Sequence, residues 1–287
     1  MSFVKILAPL TGAASDRTVL TSAISAALPF GGHVVGLFVR PDPALSVPFY
    51  AESVSSLVVQ EVMDASREAA GQGARAARAG LQDLAASADI AVTQGCEKRD
   101  APTVSYKEAD GNFADGVALA ARLSDLVVFA APKEDERAGA AEAIEAAVLE
   151  SRRPALLCAR PLAPDFYERI AIGWNASVES AQAVSAALPL LKRAKSVELL
   201  AIANKDAPCA QCGEVVEYLA LHGVTALVRE LDAGGRPVAE VLLEAASRSA
   251  SLLVLGGYGH SRWLELFQGG ITRHAIAHAD LPLFLVH

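Results

Sequence analysis

The chain has 287 residues, of which 52% are hydrophobic and 6% aromatic, and it carries a formal net charge of −8. This length accommodates two ordinary domains, and the composition fits a well-buried α/β protein. The negative charge argues against nonspecific binding to nucleic acid and against attachment to an acidic membrane surface.

Three further features of the sequence bear on location. No apolar stretch approaches the roughly 18 residues that a spanning helix needs. Residues 1–7 lack the basic region of a signal peptide and enter a predicted strand at once. The four cysteines do not make the pattern of a secreted disulfide scaffold. We therefore expect a cytoplasmic protein.

In chain order, the first half alternates short apolar strands with helices. An amphipathic helix follows the first strand. The Ala-rich segment Glu52–Ala86 has helical periodicity, and Gly71 and Gly73 are expected to divide or bend it. The predicted strands of this half are Val4–Leu10, His33–Val39, Leu126–Phe129 and Ala155–Cys158.

The second half repeats these elements in the same order. The five residues Ser25–Pro29 recur word for word as Ser185–Pro189, at the end of a predicted helix in each half. Two prolines within Pro161–Phe166 indicate a linker between the copies. The matching strands of the second half are Arg169–Trp174, Ser196–Ala203, Leu252–Leu255 and Leu283–Val286.

Strands that alternate with helices of ten or more residues predict a parallel sheet with helices on both faces. The runs Leu126–Phe129 and Leu252–Leu255 are apolar throughout, as expected for strands buried on both faces. We therefore predict an α/β fold with two tandem doubly wound domains over residues 1–160 and 167–287. Each domain is expected to have a mostly parallel five-stranded sheet.

A glycine motif follows the strand Leu252–Leu255. It consists of Gly256, Gly259, Gly269 and Gly270, and a predicted helix over Ile271–Ala279 comes directly after it. A glycine loop that opens onto a helix can form an anion site, because glycines let backbone N–H groups approach oxygens closely. The helix start adds unpaired donors and the positive end of the helix dipole. The motif therefore predicts phosphate binding.

The repeat and this spacing resemble a tandem protein of the universal stress protein family (UspA-like). The family's nucleotide signature is Gly, two residues, Gly, nine residues, Gly, and then Ser or Thr. Gly256, Gly259 and Gly269 match it, and Gly270 replaces the hydroxyl-bearing residue, for which Thr272 could compensate in part. The resemblance implies an adenine nucleotide alpha hydrolase-like fold and a loop whose amides hold the phosphates of ATP, with Mg²⁺.

The resemblance implies further contacts to the nucleotide. The family carries an Asp after its first strand, where this chain has Asn175, a poorer Mg²⁺ ligand. Asn175 and Ser177 are also ordinary helix caps, so cap and ligand both remain open. The adenine is expected near Ala203 and Val228–Glu230. The full predicted set is Gly173, Trp174, Asn175, Ala203, Gly256, Gly259, Gly269, Gly270, Ile271 and Thr272.

The first half lacks the glycine motif at the corresponding place. Its segment Ala130–Gly139 has one glycine and three adjacent carboxylates, which would repel phosphate. The loop after its first strand lacks an acidic residue at the family's position. We therefore predict that the first half has lost nucleotide binding.

Four potential cations lie around the glycine motif of the second half and could equally be solvent-exposed charges. They are His260, Arg262, Arg273 and His274.

The pair Cys209 and Cys212 forms a CxxC motif before a predicted helix, Glu214–Leu221. Three interpretations remain open: loop thiols, a redox-sensitive disulfide, or a zinc site with His222 as a third ligand. A zinc site would need two ligands beyond this pair.

No Walker lysine motif, dinucleotide fingerprint or nucleophile elbow occurs in the sequence. We therefore predict a stress-response protein that binds ATP or a related nucleotide through its C-terminal domain and acts as a sensor or regulator. Any hydrolysis is expected to be slow and incidental. The alternatives are a partner-binding or dimerising protein without nucleotide, and a thiol redox or metal protein.

The family resemblance also implies pairing of the last strands, Ala155–Cys158 with Leu283–Val286, which a tandem chain can satisfy internally.

Overall fold

The computed structural model describes residues 2–46, 55–95, 101–131, 137–202, 212–257 and 281–287. Eleven strands form one sheet. The strands of the N-terminal half are β1 (Lys5–Leu10), β2 (His33–Arg40), β3 (Ala91–Val92), β4 (Thr103–Asp110), β5 (Leu126–Ala130) and β6 (Ala155–Cys158). Those of the C-terminal half are β7 (Arg169–Trp174), β8 (Ser196–Ile202), β9 (Ala226–Leu231), β10 (Leu252–Gly256) and β11 (Leu283–Val286).

Helices connect most of these strands. The N-terminal half contains α1 (Asp16–Ala27), α2 (Ser56–Ser87), α3 (Phe113–Ala121) and α4 (Arg137–Glu145), which continues as a π-helical turn over Ala146–Glu150. The C-terminal half contains α5 (Val178–Leu191), α6 (Cys212–Leu221) and α7 (Val238–Ser249). None of the helices among the described residues is long and apolar enough to cross a bilayer.

The sheet has the same strand order in both halves. Read outward from its centre, the first half runs β6, β5, β1, β2, β4, and the second half runs β11, β10, β7, β8, β9. Within each half the neighbouring strands are parallel. The second half has the five strands expected, and the first half adds the two-residue strand β3 beside β4. The predicted α/β class and doubly wound arrangement are confirmed.

The two halves meet through their last strands. β6 and β11 pair antiparallel, with Leu156 opposite Phe284, so the predicted pairing of these strands is present within one chain. The predicted linker is held on α1 by two hydrogen bonds. Ser25 Oγ donates to the carbonyl oxygen of Leu162 (3.1 Å), and the Leu162 amide donates to Ser22 Oγ (3.2 Å).

Both faces of the sheet are buried, as the uninterrupted apolar strands predict. Along β1, the side chains of Ile6, Ala8 and Leu10 pack into one cluster, whereas Leu7 packs into the cluster on the opposite face. The alternation follows from the two-residue period of a strand.

The expectation that glycines divide the Ala-rich helix is wrong. Helix α2 runs without interruption through Gly71 and Gly73. Gly73 has a packing role, because a Cβ there would lie 3.1 Å from the ring of Phe38 and 3.4 Å from the carbonyl oxygen of Thr11. The missing side chain lets α2 lie against the carboxyl ends of β1 and β2.

Candidate functional site

The parallel strands of the C-terminal half end together at one edge of the sheet. Their register pairs Gly173 of β7 with Leu255 of β10, and Trp174 of β7 with Ala201 of β8. The strand order reverses between β7 and β10, because β8 lies on one side of this pair and β11 on the other. Open α/β sheets bind ligands in the crevice outside the carboxyl ends at such a switch point. The candidate site is therefore the end of β7 and β10.

Gly256 closes β10 at this point, and the start of α5 packs directly on it. A Cβ built on Gly256 would lie 2.2 Å from the carbonyl carbon of Glu179 and 2.3 Å from the amide nitrogen of Ser180. Both atoms belong to the first turn of α5, so helix packing requires glycine here. The same contact brings the helix N-terminus, with its donors and positive dipole end, to the switch point.

The loop between β7 and α5 is short and internally bonded. Asn175 Oδ1 accepts the amide of Ser177 (3.1 Å), and Ser177 Oγ accepts the amide of Ser180 (3.1 Å). Ser177 is therefore the N-cap of α5, which confirms that it is a helix cap. Since the Asn175 oxygen is uncharged and already engaged, it is poorly suited to hold Mg²⁺.

Ala176 stands between these two polar residues in a left-handed conformation, with a φ of 59°. For a residue with a Cβ this conformation costs about 1 kcal/mol or more. Such strain persists where the surrounding structure fixes it, and it concentrates at functional loops. Here the Asn175–Ser177 turn on one side and the cap of α5 on the other fix the peptide of Ala176.

The structure brings four of the ten predicted site residues to this edge: Gly173, Trp174, Asn175 and Gly256. Gly173 is buried, and its missing side chain makes room for Leu255, whose Cδ2 would lie 2.5 Å from a Cβ at this position. Trp174 is half-buried against the core beneath α5. The other six lie outside the described residues: Ala203, Gly259, Gly269, Gly270, Ile271 and Thr272. The four predicted cations and Cys209 also lie outside them.

His287 is a neighbour of this site that the sequence reasoning missed. Its Nδ1 lies 3.0 Å from the carbonyl oxygen of Gly257, and the amide of Gly257 donates to the carbonyl oxygen of Val286 (2.7 Å). His287 follows the predicted last strand by one residue. The parallel pairing of β10 with β11 was the signal that could have placed it beside the glycine motif.

The corresponding loop of the N-terminal half carries its own anion. The carboxylate of Asp16, which is 7% exposed, accepts the amides of Thr11 and Gly12, both at 2.8 Å. It also accepts the Thr11 hydroxyl (3.1 Å). The amides that follow β1 therefore face a carboxylate of the chain itself, which would repel a phosphate.

Helix α2 also covers this N-terminal edge. Gly12 is left-handed (φ 80°), and a Cβ there would lie 2.5 Å from the Cα of Gly73. Tyr106 Oη donates to the carbonyl oxygen of Ala74 (3.0 Å). Burial, with the nearby Glu108 carboxylate, raises the pKa of Tyr106 to about 12. Backbone and aromatic groups of the chain thus occupy the edge.

An ion-pair cluster borders the same N-terminal edge. Glu108 is bonded by the guanidinium groups of Arg40 and Arg78, and the hydrogen bond from Arg40 is the main cause that lowers the pKa of Glu108. The Arg78 guanidinium also lies 4.7 Å from the centroid of the Tyr106 ring. Both arginines therefore form ion pairs with Glu108 within the protein.

Two cysteines fall within the described residues. Cys212 begins α6 and is disulfide-bonded. Cys158 is free and buried, and burial raises the pKa of its thiol to about 12, so it is unreactive near neutral pH. Among the described residues, no group of three or more His, Cys, Asp or Glu side chains could hold a metal ion.

Residues 179–287 match the family model of the universal stress protein family. The matched span begins in the first turn of α5, so Gly173, Trp174 and Asn175 lie outside it. No curated protein matches the chain.

The fold is similar to that of a universal stress protein from Archaeoglobus fulgidus. The identity is 12% and the TM-score 0.65, with 99% of this chain and 96% of that chain covered. It is also similar to a functionally unknown protein from Pseudomonas aeruginosa PAO1, at 12% identity and a TM-score of 0.56, with 98% and 92% covered. At these identities the likeness concerns the fold.

Proposed function

Because residues 179–287 match the universal stress protein family, we propose that this chain binds ATP or a related nucleotide at the carboxyl ends of β7 and β10. Binding would make it a sensor or regulator in a stress response. The observation that carries the proposal is the contact between the start of α5 and Gly256 at the switch point. That contact supports an anion site, because it sets the positive end of the α5 dipole beside a residue without a side chain.

The groups at this edge fit the phosphates of a nucleotide better than they fit a protein-bound metal. The turn of Asn175 and Ser177 is uncharged, and Asn175 Oδ1 already accepts the Ser177 amide. We therefore propose that any Mg²⁺ is held mainly by the phosphates and water. Omitting Mg²⁺ should accordingly weaken binding only moderately.

A binding role is also better supported than a fast hydrolytic one. General acid–base catalysis needs a titratable group within hydrogen-bonding reach of the reacting atoms. The loop of residues 173–177 carries no side chain that titrates near neutral pH. Among the described residues, the titratable side chains near this edge are Glu179, in the first turn of α5, and His287, whose Nδ1 is bonded to the Gly257 carbonyl. The Ser177 hydroxyl is engaged as the cap of α5. Hydrolysis, where it occurs, should be slow and incidental.

The proposal is tested by calorimetric titration of ligand-stripped protein with ATP, with and without Mg²⁺. We expect saturable binding at about one site per chain, and its loss in Gly259→Val, since the signature glycine allows close approach of the backbone to phosphate. Gly80→Val is the matched control, because a Cβ at Gly80 meets nothing within 4 Å. Absence of heat at millimolar ATP would overturn the proposal and favour a nucleotide-free, partner-binding protein.

The disulfide at Cys212 favours a second candidate function, that of a thiol redox protein. Cys158 is an unsuitable redox partner because its thiol is buried and its pKa is raised to about 12. Free-thiol counts in oxidising and reducing buffers test this candidate. A reversible change of two thiols supports it, and an unchanged count with no bound metal eliminates it.

A further inference from the structure

We propose that the outer edge of the sheet at β9 is a dimer interface, which a second copy of this chain covers with its own β9. Within the described part of the chain, β9 has a single strand neighbour, β8. An edge strand presents backbone N–H and C=O groups that can bond to another strand. This edge lies at the opposite side of the C-terminal half from β11, which is already paired with β6. The proposal does not depend on nucleotide binding.

The side chains along this edge are apolar where an exposed strand is usually polar. Leu227 is 67% exposed and Val228 is 44% exposed. Helix α6, which packs over β9, exposes Tyr218 and Leu221 as well. Proteins commonly protect an exposed edge with charges, proline or a bulge. Adjacent large apolar residues on such an edge are instead typical of an interaction surface.

The N-terminal half shows the same edge in a covered form. Its strand β4 corresponds to β9, and the register of the sheet aligns Ser105 with Leu227, since they lie opposite Val35 of β2 and Glu198 of β8. Strand β3 pairs with the outer side of β4, and Ser105 is only 1% exposed. The covered edge thus buries a serine where the other edge exposes a leucine, which is the reverse of the usual pattern.

A second copy fits this edge because the chain already joins its own halves in the same manner. The strands β6 and β11 each end the sheet of one half, and they pair antiparallel into one continuous sheet. Two β9 strands that pair antiparallel about a two-fold axis would extend the sheet in the same way. Such a pairing satisfies the backbone groups of both copies at once.

Charge selects the register of this pairing. The longest pairings place the axis at Val228 or at Arg229, and they join residues 226–230 or residues 227–231 with their own copies. An axis at Arg229 sets this charge opposite the same charge of the partner, which is destabilising. An axis at Val228 sets Val228 opposite its own copy and Leu227 opposite the partner's Arg229. We therefore place the axis at Val228.

The surroundings of Arg229 suit a position across from Leu227. Its guanidinium lies 3.9 Å from the carboxylate of Glu198 on β8, so its charge is partly balanced within its own chain. The alkyl stem of an arginine can cover apolar surface while the charged head stays near water or a partner. The pairing would therefore cover Leu227 and Val228 of both copies.

The molar mass of the full chain in solution, measured by light scattering without nucleotide, tests the proposal. We expect the wild type at micromolar concentration to have twice the 29.8 kDa mass of one chain. Val228→Lys sets two ammonium groups opposite each other at the axis and should raise the dimer Kd by at least about a hundredfold. Val228→Thr keeps the branched shape and should remain dimeric. Leu123→Lys, at a residue that is 80% exposed outside this edge, should remain dimeric too.

Amide hydrogen exchange of the wild type gives a second measurement that needs no variant to fold. We expect residues 226–231 to exchange more slowly as the protein concentration rises, because the dimer adds backbone hydrogen bonds to β9. Residues 91–92, at the other end of the sheet, should exchange at a rate independent of concentration.

Three results would overturn the proposal. The first is a wild type that is monomeric at micromolar concentration. The second is a dimer that persists in Val228→Lys, since the copies would then meet through another surface. The third is exchange over residues 226–231 that does not change with concentration.

Discussion

The two halves of the sheet share one strand order but close the loop after their first strand differently. In the N-terminal half, the carboxylate of Asp16 accepts the amides of Thr11 and Gly12, and α2 covers the loop. In the C-terminal half, the uncharged Asn175 forms the turn and the start of α5 reaches Gly256. The comparison shows that one strand order can support two kinds of loop. In one, a carboxylate of the chain itself occupies the loop amides, and the other is a candidate anion site. The difference depends on two features of the first half, the carboxylate of Asp16 on the loop amides and the packing of α2 on Gly12.

The largest expected effect concerns the contact of α5 with β10. Gly256→Val should lower the free energy of unfolding by about 3 kcal/mol, because its side chain would collide with the backbone of Glu179 and Ser180. Ala130→Val, at the corresponding strand end of the first half, should cost about 1 kcal/mol, since Ala130 already carries a Cβ. Urea unfolding measures both, and equal losses would contradict the difference between the halves.

The second prediction concerns the internal anion. Asp16→Ala should lower the free energy of unfolding by about 2 kcal/mol, because charge-assisted hydrogen bonds to two amides are lost. Asn175→Ala removes one neutral hydrogen bond and should cost about 1 kcal/mol. The Asp16 variant should still bind one ATP per chain, since Gly73 remains packed against Gly12. A second ATP site in calorimetry would show that Asp16 alone closes the first half.

A third prediction uses His33, which begins β2 in the first half, where Ser196 begins β8 in the second. Its ring contacts Thr103 Oγ1 (2.7 Å) and Ser105 Oγ (2.8 Å). Burial, and then Lys107 and Lys5, lower its pKa below the ordinary value of 6.5. The native state therefore favours the neutral ring, and the unfolded chain binds the proton more readily.

The stabilisation from neutral His33 is fully present above about pH 6.5 and declines as the pH falls toward the lowered native value. The slope should not exceed about 1.4 kcal/mol per pH unit. Urea unfolding between pH 7.5 and 5.5 measures it, with His33→Gln as the control that lacks the titrating group. A slope of equal size in the Gln variant would assign the pH dependence to other residues.

The smallest effect concerns Ala176, the left-handed residue of the C-terminal loop. Ala176→Gly should stabilise the protein by about 0.5 kcal/mol, because relief of strain slightly exceeds the added freedom of the unfolded chain. Gly12→Ala, at the left-handed residue of the other loop, should act in the opposite direction and more strongly, since its Cβ would collide with the backbone of Gly73. Thermal melting of the two variants gives the signs. Destabilisation by Ala176→Gly would mean that the Ala176 methyl group makes contacts worth more than the strain.

The repeat and the positions of the apolar strands could be predicted because each depends on local pattern, whereas the pairing of the last strands was implied by the family resemblance. The apolar runs Leu126–Phe129 and Leu252–Leu255 fall within β5 and β10. The sequence pattern did not predict strand β4, Thr103–Asp110, in this way. Its second half carries Lys107, Glu108 and Asp110, and Glu108 is stabilised there by arginines from β2 and α2, which only the tertiary structure brings together.

The site could be predicted only in part, for a related reason. The strand ends at Trp174 and Gly256 follow from periodicity and topology. The anion role of Asp16 depends on a five-residue excursion between β1 and α1 that folds its carboxylate back onto Thr11. The contact of His287 with Gly257 depends on the pairing of β10 with β11. Neither contact has a spacing signature in the sequence.

Amide hydrogen exchange with and without ATP tests most directly whether the nucleotide binds the C-terminal edge and not the N-terminal one. We expect ATP to slow exchange in peptides that cover residues 173–180 and 252–257, and to leave residues 9–18 unchanged. Protection of residues 9–18, or saturable ATP binding that protects neither region, would contradict the account.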